Sequence, residues 1–361
     1  MQTLKTGILK ALRTVYDPDL KKDLVSLGMI DDLLITNATI SFTIILTTPA
    51  CPLQEFMKQA CIQAIRKEIK KELEIIITTI AKVTSSRPPA AILPEVKNII
   101  AIASGKGGVG KSTVATYVAL SLANHGARVG LLDADIFGPS IPTIWNCERE
   151  KPAVFKQNGK NFIIPLERHN VKLLSIGFVA NSQEAIVWRG PMASAALKQL
   201  IQDAYWGVLD YLLIDLPPGT SDIHLTLVQT VTVTGAVVVT TPQKIALIDA
   251  IKAIAMFKKE QIQVPILGLV ENMSYYFSNK EKIGTPHYIF GKEGGKKLAE
   301  QQTIPFLGQI PLLPIICEQG DVGISSNKTI APFDTIAQIL AQQIAVRNAI
   351  YQPTEIVKKS Y

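Results

Sequence analysis

Residues 103–115 read ASGKGGVGKSTVA and fit the pattern G-x-x-x-x-G-K-[ST] over Gly105, Lys106, Gly107, Gly108, Val109, Gly110, Lys111 and Ser112. These residue types specify a chemistry. Glycines let successive backbone N–H groups turn inward around phosphate oxygens. A helix beginning near Lys111 aims the positive end of its dipole at the same oxygens. Lys111 is then expected to reach the β- and γ-phosphates of ATP, and the Ser112 hydroxyl to ligate Mg²⁺, with Thr113 next in the nucleotide-binding run. The loop follows the apolar run IIAIAS and precedes STVATYVALSLANHG, which reads as a helix ending at Gly126. Strand, glycine loop and helix are the context the pattern requires.

Acidic residues at strand ends complete the chemistry. LLIDLPPG closes an apolar strand with Asp215, placed to hold Mg²⁺ through water. The Pro-Pro-Gly that follows can bring the Gly219 N–H near a γ-phosphate, so that the loop senses hydrolysis. LLDADIFGPS closes another strand with Asp133, a candidate for the Mg²⁺ shell, and Asp135, a candidate for positioning the attacking water. Taken alone, that pair could be only a strand-end turn.

These side chains need a scaffold. From Ile99 onward, apolar runs such as RVGLLDADIFG, VKLLSIGFV, YLLIDLPPG, GAVVVTTP and PILGLVENM are mostly separated by helical stretches such as KIALIDAIKAIAMFKKE. Apolar strands alternating with helices predict a doubly wound, mostly parallel α/β sheet covered on both faces. Ile336, Leu340 and Ile344 fall at i, i+4, i+8 and predict a docked C-terminal helix. The first 84 residues read instead as a small α+β domain. Leu4, Ile8, Leu12 and Val15 follow helical spacing, and DDLLITNATISFTIILTT holds two β-rich runs meeting at Thr36-Asn37. Leu53, Phe56, Met57, Ala60 and Ile65 mark a second core-facing helix, and LEIIITTIAKV a closing strand. The proline-containing stretch 85–97 reads as a linker, and 98–361 as the P-loop domain.

Nearly half the 361 residues are hydrophobic and under a fifth charged, which excludes wholesale disorder. The net charge of +7 is scattered, and the densest basic cluster, Arg66, Lys67, Lys70 and Lys71, suits a helix C-terminus, so no nucleic-acid partner is expected. No run of about 18 apolar residues and no secretory h-region occur, so neither a stable membrane anchor nor export is expected. Cys51, Cys61, Cys147 and Cys317 are widely spaced and form no C-x-x-C. A reducing cytoplasm is the expected location.

Lys106 is surplus to a phosphate loop. The run K-G-G-V-G-K-S resembles the deviant Walker A of the MinD, ParA and nitrogenase iron-protein class. That resemblance implies that Lys106 reaches across a homodimer to the partner's phosphates, a trans-acting cation comparable in purpose to an arginine finger. Spacing alone shows only that Lys106 lies in the loop, and a solvated loop lysine is the alternative. NIIAIASGKGGVGKSTVATYVALSLA, DADIFGPSIP, VWRGPM, IDLPPGTSD, VENMSYY and IFGKEGG resemble, in this order, the motifs of the Mrp (ApbC) family of iron–sulfur cluster carrier ATPases. Asp17-Pro18-Asp19, Val25-Ser26-Leu27-Gly28 and Thr47-Thr48-Pro49-Ala50-Cys51-Pro52 resemble the SufT-like iron–sulfur assembly domain fused to many of its members.

The resemblance implies Mg-dependent hydrolysis of ATP to ADP and phosphate, an iron–sulfur cluster as cargo, and donor and recipient proteins as partners. It places Asn272 on the adenine edge, although an Asn at a strand end is also a common turn residue. It puts Arg189 near the dimer-facing nucleotide site without assigning it a step. One departure matters. Family members with a bridging cluster usually carry C-x-x-C after VENMS, whereas this chain reads YYFSNKEKIGTPHYIFG. The four thiolates of an intersubunit [4Fe–4S] cluster are therefore not supplied there. His287 is nearby but alone. Cys51 precedes Pro52 at an apparent helix start, where the dipole would favour thiolate, and is the candidate iron-binding residue; a small buried hydrophobe is the competing reading. Two functions stand against each other: an ATP-driven iron–sulfur carrier, and a nucleotide-switched scaffold or partitioning ATPase without a cluster.

Overall fold

The structure is a computed structural model and describes residues 2–69, 72–88, 92–157, 159–178, 190–277, 285–351, 354 and 356. The chain divides into two compact units, Met1–Thr84 with Ala341–Tyr351, and Ser85–Leu340 with Gln352–Tyr361.

In the first unit, α1 (Gln2–Leu12) is followed by the short strands β1 (Tyr16–Asp17) and β2 (Lys22–Asp23), then β3 (Ile30–Ile35), β4 (Thr39–Leu46), α2 (Gln54–Glu68) and β5 (Glu74–Ala81). β3 and β4 pair antiparallel, and the turn expected at Thr36-Asn37 forms: Thr36 N–H donates to the Thr39 carbonyl at 2.9 Å. β5 pairs parallel to β4, so α2 is the crossover between them. α1 buries Ile8 and Leu12, and α2 buries Met57, Cys61 and Ile65, at the i, i+4, i+8 spacing of one helix face. Phe56, expected in that core set, is 60% exposed. One residue from Met57, it is turned by about 100° around the helix and leaves the buried face.

The second unit runs β6 (Val96–Ser104), α3 (Lys111–Asn124), β7 (Val129–Asp133), α4 (Ile141–Ile144), β8 (Ala153–Gln157), β9 (Lys160–Ile164), β10 (Leu166–Arg168), β11 (Val171–Ser175), α5 (Gly190–Gln202), β12 (Leu209–Asp215), α6 (Asp222–Thr230) and β13 (Gly235–Thr240). It continues with α7 (Lys244–Lys258), β14 (Ile266–Glu271), β15 (Tyr276–Phe277), β16 (Pro286–His287), α8 (Gly294–Gln302), β17 (Phe306–Gln309) and α9 (Pro314–Val322); α10 (Ala331–Ile350) begins in this unit, and its residues from Ala341 on group with the first. An eight-stranded sheet has the order β10-β11-β7-β12-β6-β13-β14-β17 and is parallel except for β10. Every residue of β7, β12 and β13 is buried, as expected for strands covered on both faces. Ile336, Leu340 and Ile344 of α10 are each buried.

Residues 85–97, read from the sequence as a linker, group with the second unit, and Arg87 supplies a physical reason. Its guanidinium donates to the carbonyls of Thr232 (3.0 Å), Leu93 (2.9 Å), Ile92 (2.5 Å) and Val96. A planar fork of donors matches converging carbonyls in a way an ammonium does not. Burial pushes this guanidinium down to about 10.

Candidate nucleotide site

Parallel pairing brings the acidic strand ends together. Asp215 at the end of β12 is level with Asp133 at the end of β7 and with Ile102 near the end of β6. The carboxylates therefore gather at the C-terminal edge of the sheet, where open α/β folds bind ligands.

The glycine loop connects β6 to α3 beside them. Gly110 is the N-cap of α3 with φ +79°, and a Cβ there would stand 2.2 Å from Asn272 Nδ2. Gly105 lies so close to α7 that a Cβ would meet the Asp249 carbonyl carbon at 2.1 Å. Both glycines are thus required by conformation or by close approach. The loop borders a cleft of about 270 Å³ whose lining includes Lys106, Lys111, Ser112, Thr113, Asp135 and Pro218.

Lys111 is buried, and its Nζ lies 2.5 Å from Asp215 Oδ1, 3.7 Å from Asp135 Oδ2 and 3.3 Å from Ser112 Oγ. Burial raises Asp135 above the ordinary carboxylate range; Lys111 opposes the shift and Asp215 adds to it. Burial, aided by Asp215, likewise raises Asp133. Asp135 Oδ1 and Asp215 Oδ2 are buried with no hydrogen-bond partner among the described residues. Two unsatisfied carboxylate oxygens beside a serine hydroxyl are a donor set of the type that holds a hydrated Mg²⁺ together with phosphate oxygens, so the residues present fit that ion.

The remaining predicted residues are placed as follows. Asp133 Oδ1 accepts from the Asp135 N–H (3.1 Å), while Oδ2 accepts from the Ile141 N–H (3.2 Å) and the Ser175 hydroxyl (2.9 Å). The Gly219 N–H donates to the Ser104 carbonyl at 2.8 Å, tying the Pro-Pro-Gly turn to the end of β6. Asn272 Nδ2 donates to the Val109 carbonyl at 2.9 Å, bracing the phosphate loop. Lys106 is half-buried in the cleft wall, and its ammonium has no ion-pair partner among the described residues. His287 belongs to the β15–β16 pair, opposite Tyr276. Arg189 lies outside the described residues.

Cys51 lies half-buried just before α2. Burial pushes its thiol above the usual value; Asp17 and Asp19 add to the shift, and backbone bonds from Leu53 and Gln54 only partly offset it. Proximity to a helix start does not overcome desolvation here. Cys61 and Cys147 are buried, with thiols pushed to about 12 and about 11, whereas Cys317 is exposed on α9. Among the described residues no group of three or more His, Cys, Asp or Glu side chains is arranged to hold a metal ion.

One site neighbour escaped sequence reasoning. Ser221 caps α6, and His224 at the third helical position accepts the Ser221 N–H at Nδ1 (3.2 Å), taking the place usual for Glu or Gln in a capping box. The Ser-x-x-His spacing just after LPPGT was the available signal. His224 Nε2 is buried without a partner among the described residues, and burial pushes the imidazole down to about 4. A histidine depressed in the folded state contributes stability that is full above its unfolded value near 6.5 and is lost as pH falls toward 4. Wild-type protein should therefore lose more thermal stability than His224→Gln between pH 7.5 and pH 4.5, by at most about 3 kcal/mol. Parallel melting curves for the two proteins would contradict this.

A glycine loop feeding a helix, with acidic strand ends converging on its lysine, defines a P-loop NTPase. The family model described as NUBPL iron-transfer P-loop NTPase matches residues 95–345, and the model of iron–sulfur cluster assembly proteins matches residues 5–75. The chain is 42% identical over 359 residues to the iron–sulfur cluster carrier protein of Deinococcus radiodurans, covering 98% of this chain and 99% of that one. It is 44% identical over 319 residues to the iron–sulfur cluster carrier protein of Synechocystis, covering 88% and 90%. A solved nucleotide-binding protein from Archaeoglobus fulgidus in complex with ADP is 37% identical, with a TM-score of 0.56, over 64% of this chain and 88% of that chain. The chain belongs to the NUBPL iron-transfer P-loop NTPase family. No helix among the described residues is long and apolar enough to cross a membrane.

Proposed function

We propose that this chain is an ATP-hydrolysing iron–sulfur cluster carrier and assembly factor that works as a nucleotide-bridged homodimer. The observation that carries the reading is Lys111 held between Asp215 and Asp135 at the mouth of the glycine loop. Residues 1–84 act as the assembly domain and 98–361 as the ATPase domain, joined through 85–97. Lys111 exchanges its carboxylate partners for the β- and γ-phosphate oxygens, and the amides of residues 105–113 cradle the phosphates. Asp135 orients the attacking water, and Asp133 positions Asp135 through its backbone N–H. Ser112, and Asp215 through water, would hold Mg²⁺, which would supply charge neutralisation on the phosphates. Asn272 sets the loop and contacts the adenine edge, Gly219 reports on the γ-phosphate by exchanging the Ser104 carbonyl for a phosphate oxygen, and Lys106 acts on the partner's nucleotide. The relatives' names favour this reading over a scaffold or partitioning ATPase without a cluster.

Iron reconstitution tests it. Cargo exchanges with donor and recipient proteins, and with no C-x-x-C after VENMS the iron should be labile and fall below about four per dimer. Metal binding displaces the thiol proton, so a raised thiol such as Cys51 still serves as a ligand, with retention that weakens as pH falls. Protein reconstituted anaerobically should lose its iron and visible absorption in Cys51→Ser and retain them in Cys317→Ser. Four irons per dimer that survive Cys51→Ser would overturn the role of Cys51. No iron in any protein, with ATPase activity intact, would favour the scaffold.

A further inference from the structure

The β8–β9 ribbon stands outside the eight-stranded sheet. Its ladder pairs Ala153 with Ile164, Val154 with Ile163, Phe155 with Phe162, and Gln157 with Lys160. The far edge of β9 reveals which main-chain groups face outward: the Ile163 N–H donates to the Asp203 carbonyl at 2.7 Å, and the Ile163 carbonyl accepts from the Tyr205 N–H at 2.8 Å. Ile163 therefore turns its main chain away from β8. In an antiparallel ladder its partner does the same in the opposite direction. Val154, and Lys156 two residues on, thus aim their N–H and C=O groups off the free edge of β8. No bond occupies those groups among the described residues.

Side chains make this edge adhesive. Phe155 stacks on Phe162 with centroids 5.5 Å apart and meets Tyr205 edge-on at 5.5 Å. A groove of about 550 Å³ runs among Phe155, Ile164, Pro165 and Tyr205, bordered by Lys172 and Glu167. Val154 and Tyr205 are 61% and 52% exposed. An open strand edge flanked by exposed apolar groups is a feature that proteins ordinarily blunt. Residues 151–166 hold Lys151, Lys156 and Lys160 and no acidic residue, with Glu167 at the border of the groove. Lys160 pairs with Asp203 at 3.0 Å, whereas Lys151 and Lys156 have no ion-pair partner among the described residues.

We propose that the edge of β8 receives an extended acidic segment of a partner protein as an added strand. The segment bonds to the main chain of Val154 and Lys156, places an apolar side chain in the Phe155–Tyr205 groove and sets carboxylates beside Lys151 and Lys156. A second copy of this chain fits worse, because pairing β8 with itself would place lysine-bearing strands side by side. The proposal rests on the ribbon alone and stands whether or not the chain carries a cluster.

The probe is a fluorescein-labelled heptapeptide of glutamates alternating with valine, phenylalanine and valine, titrated against the full chain by anisotropy. Controls are the same composition with the alternation scrambled, and the alternating peptide with lysine for glutamate. Only the alternating acidic peptide should saturate. Val154→Pro removes one outward N–H and leaves the inner ladder its bonds, so it should weaken binding at least about tenfold. Lys156→Glu should weaken it comparably, and Val154→Thr should leave it unchanged. Near-UV circular dichroism of the Phe155–Tyr205 cluster checks the ribbon, and if Val154→Pro disturbs it, Lys156→Glu decides. Equal binding of the scrambled peptide, wild-type affinity in both disruptive variants, or no saturation by about 1 mM would overturn the proposal. So would self-association of the wild type that Val154→Pro abolishes.

Discussion

Lys111→Ala should lower ATP turnover by at least about two to three orders of magnitude, the scale of losing one preorganised donor aimed at developing charge in a water-poor site. The structure adds a second consequence. Lys111 is the cation between Asp215 and Asp135, and removing one partner of a buried ion pair leaves uncompensated charge. The variant should therefore melt lower than wild type at pH 8. The deficit should shrink on acidification, as Asp135, already raised by burial, takes up a proton. Lys111→Arg should not rescue turnover, because a planar fork does not fit a position shaped for a point charge. Wild-type hydrolysis by Lys111→Ala would remove the P-loop assignment altogether.

Lys106→Ala should be the other severe lesion, and complementation separates its two readings. A trans-acting cation on transferring phosphate is worth on the order of 10³-fold or more in turnover. Homodimers of Lys106→Ala, or of Lys111→Ala, should each be nearly inactive. Mixed one to one, random pairing makes half the dimers heterodimeric, each with one complete site, so about a quarter of wild-type activity should return. Tagged subunits co-purified in tandem establish that heterodimers form. If they form and activity does not return at any mixing ratio, Lys106 acts in cis or not at all. A solvated lysine predicts instead that Lys106→Ala alone is nearly fully active.

The sequence by itself determined the phosphate loop, the alternation of buried strands with helices, and the placing of Asp133 and Asp215 at strand ends. Those features are local. A glycine at positive φ, a lysine–serine pair opening a helix and an unbroken apolar run each declare themselves within a few residues. Shorter elements, including the β8–β9 ribbon and the bridge of β15 to β16, were not legible, because their runs are too short or too polar to show a period. Phe56 was misjudged for a related reason: adjacent residues on a helix cannot both face one core, and composition does not say which turns outward.

Only the tertiary structure decided where the charges go. Lys111 and Asp215 are 104 residues apart, yet their distance of 2.5 Å follows from β6 and β12 being parallel neighbours. Asn272 meets Val109 across 163 residues. Arg87 donates to the carbonyls of Thr232 and Leu93, which face it only in the folded unit. Cys51 shows the limit most sharply: the helix start beside it would favour thiolate, while burial and the carboxylates of Asp17 and Asp19 push its thiol up. Desolvation and through-space charge depend on what the rest of the chain brings alongside a group, and no short stretch of sequence contains that information.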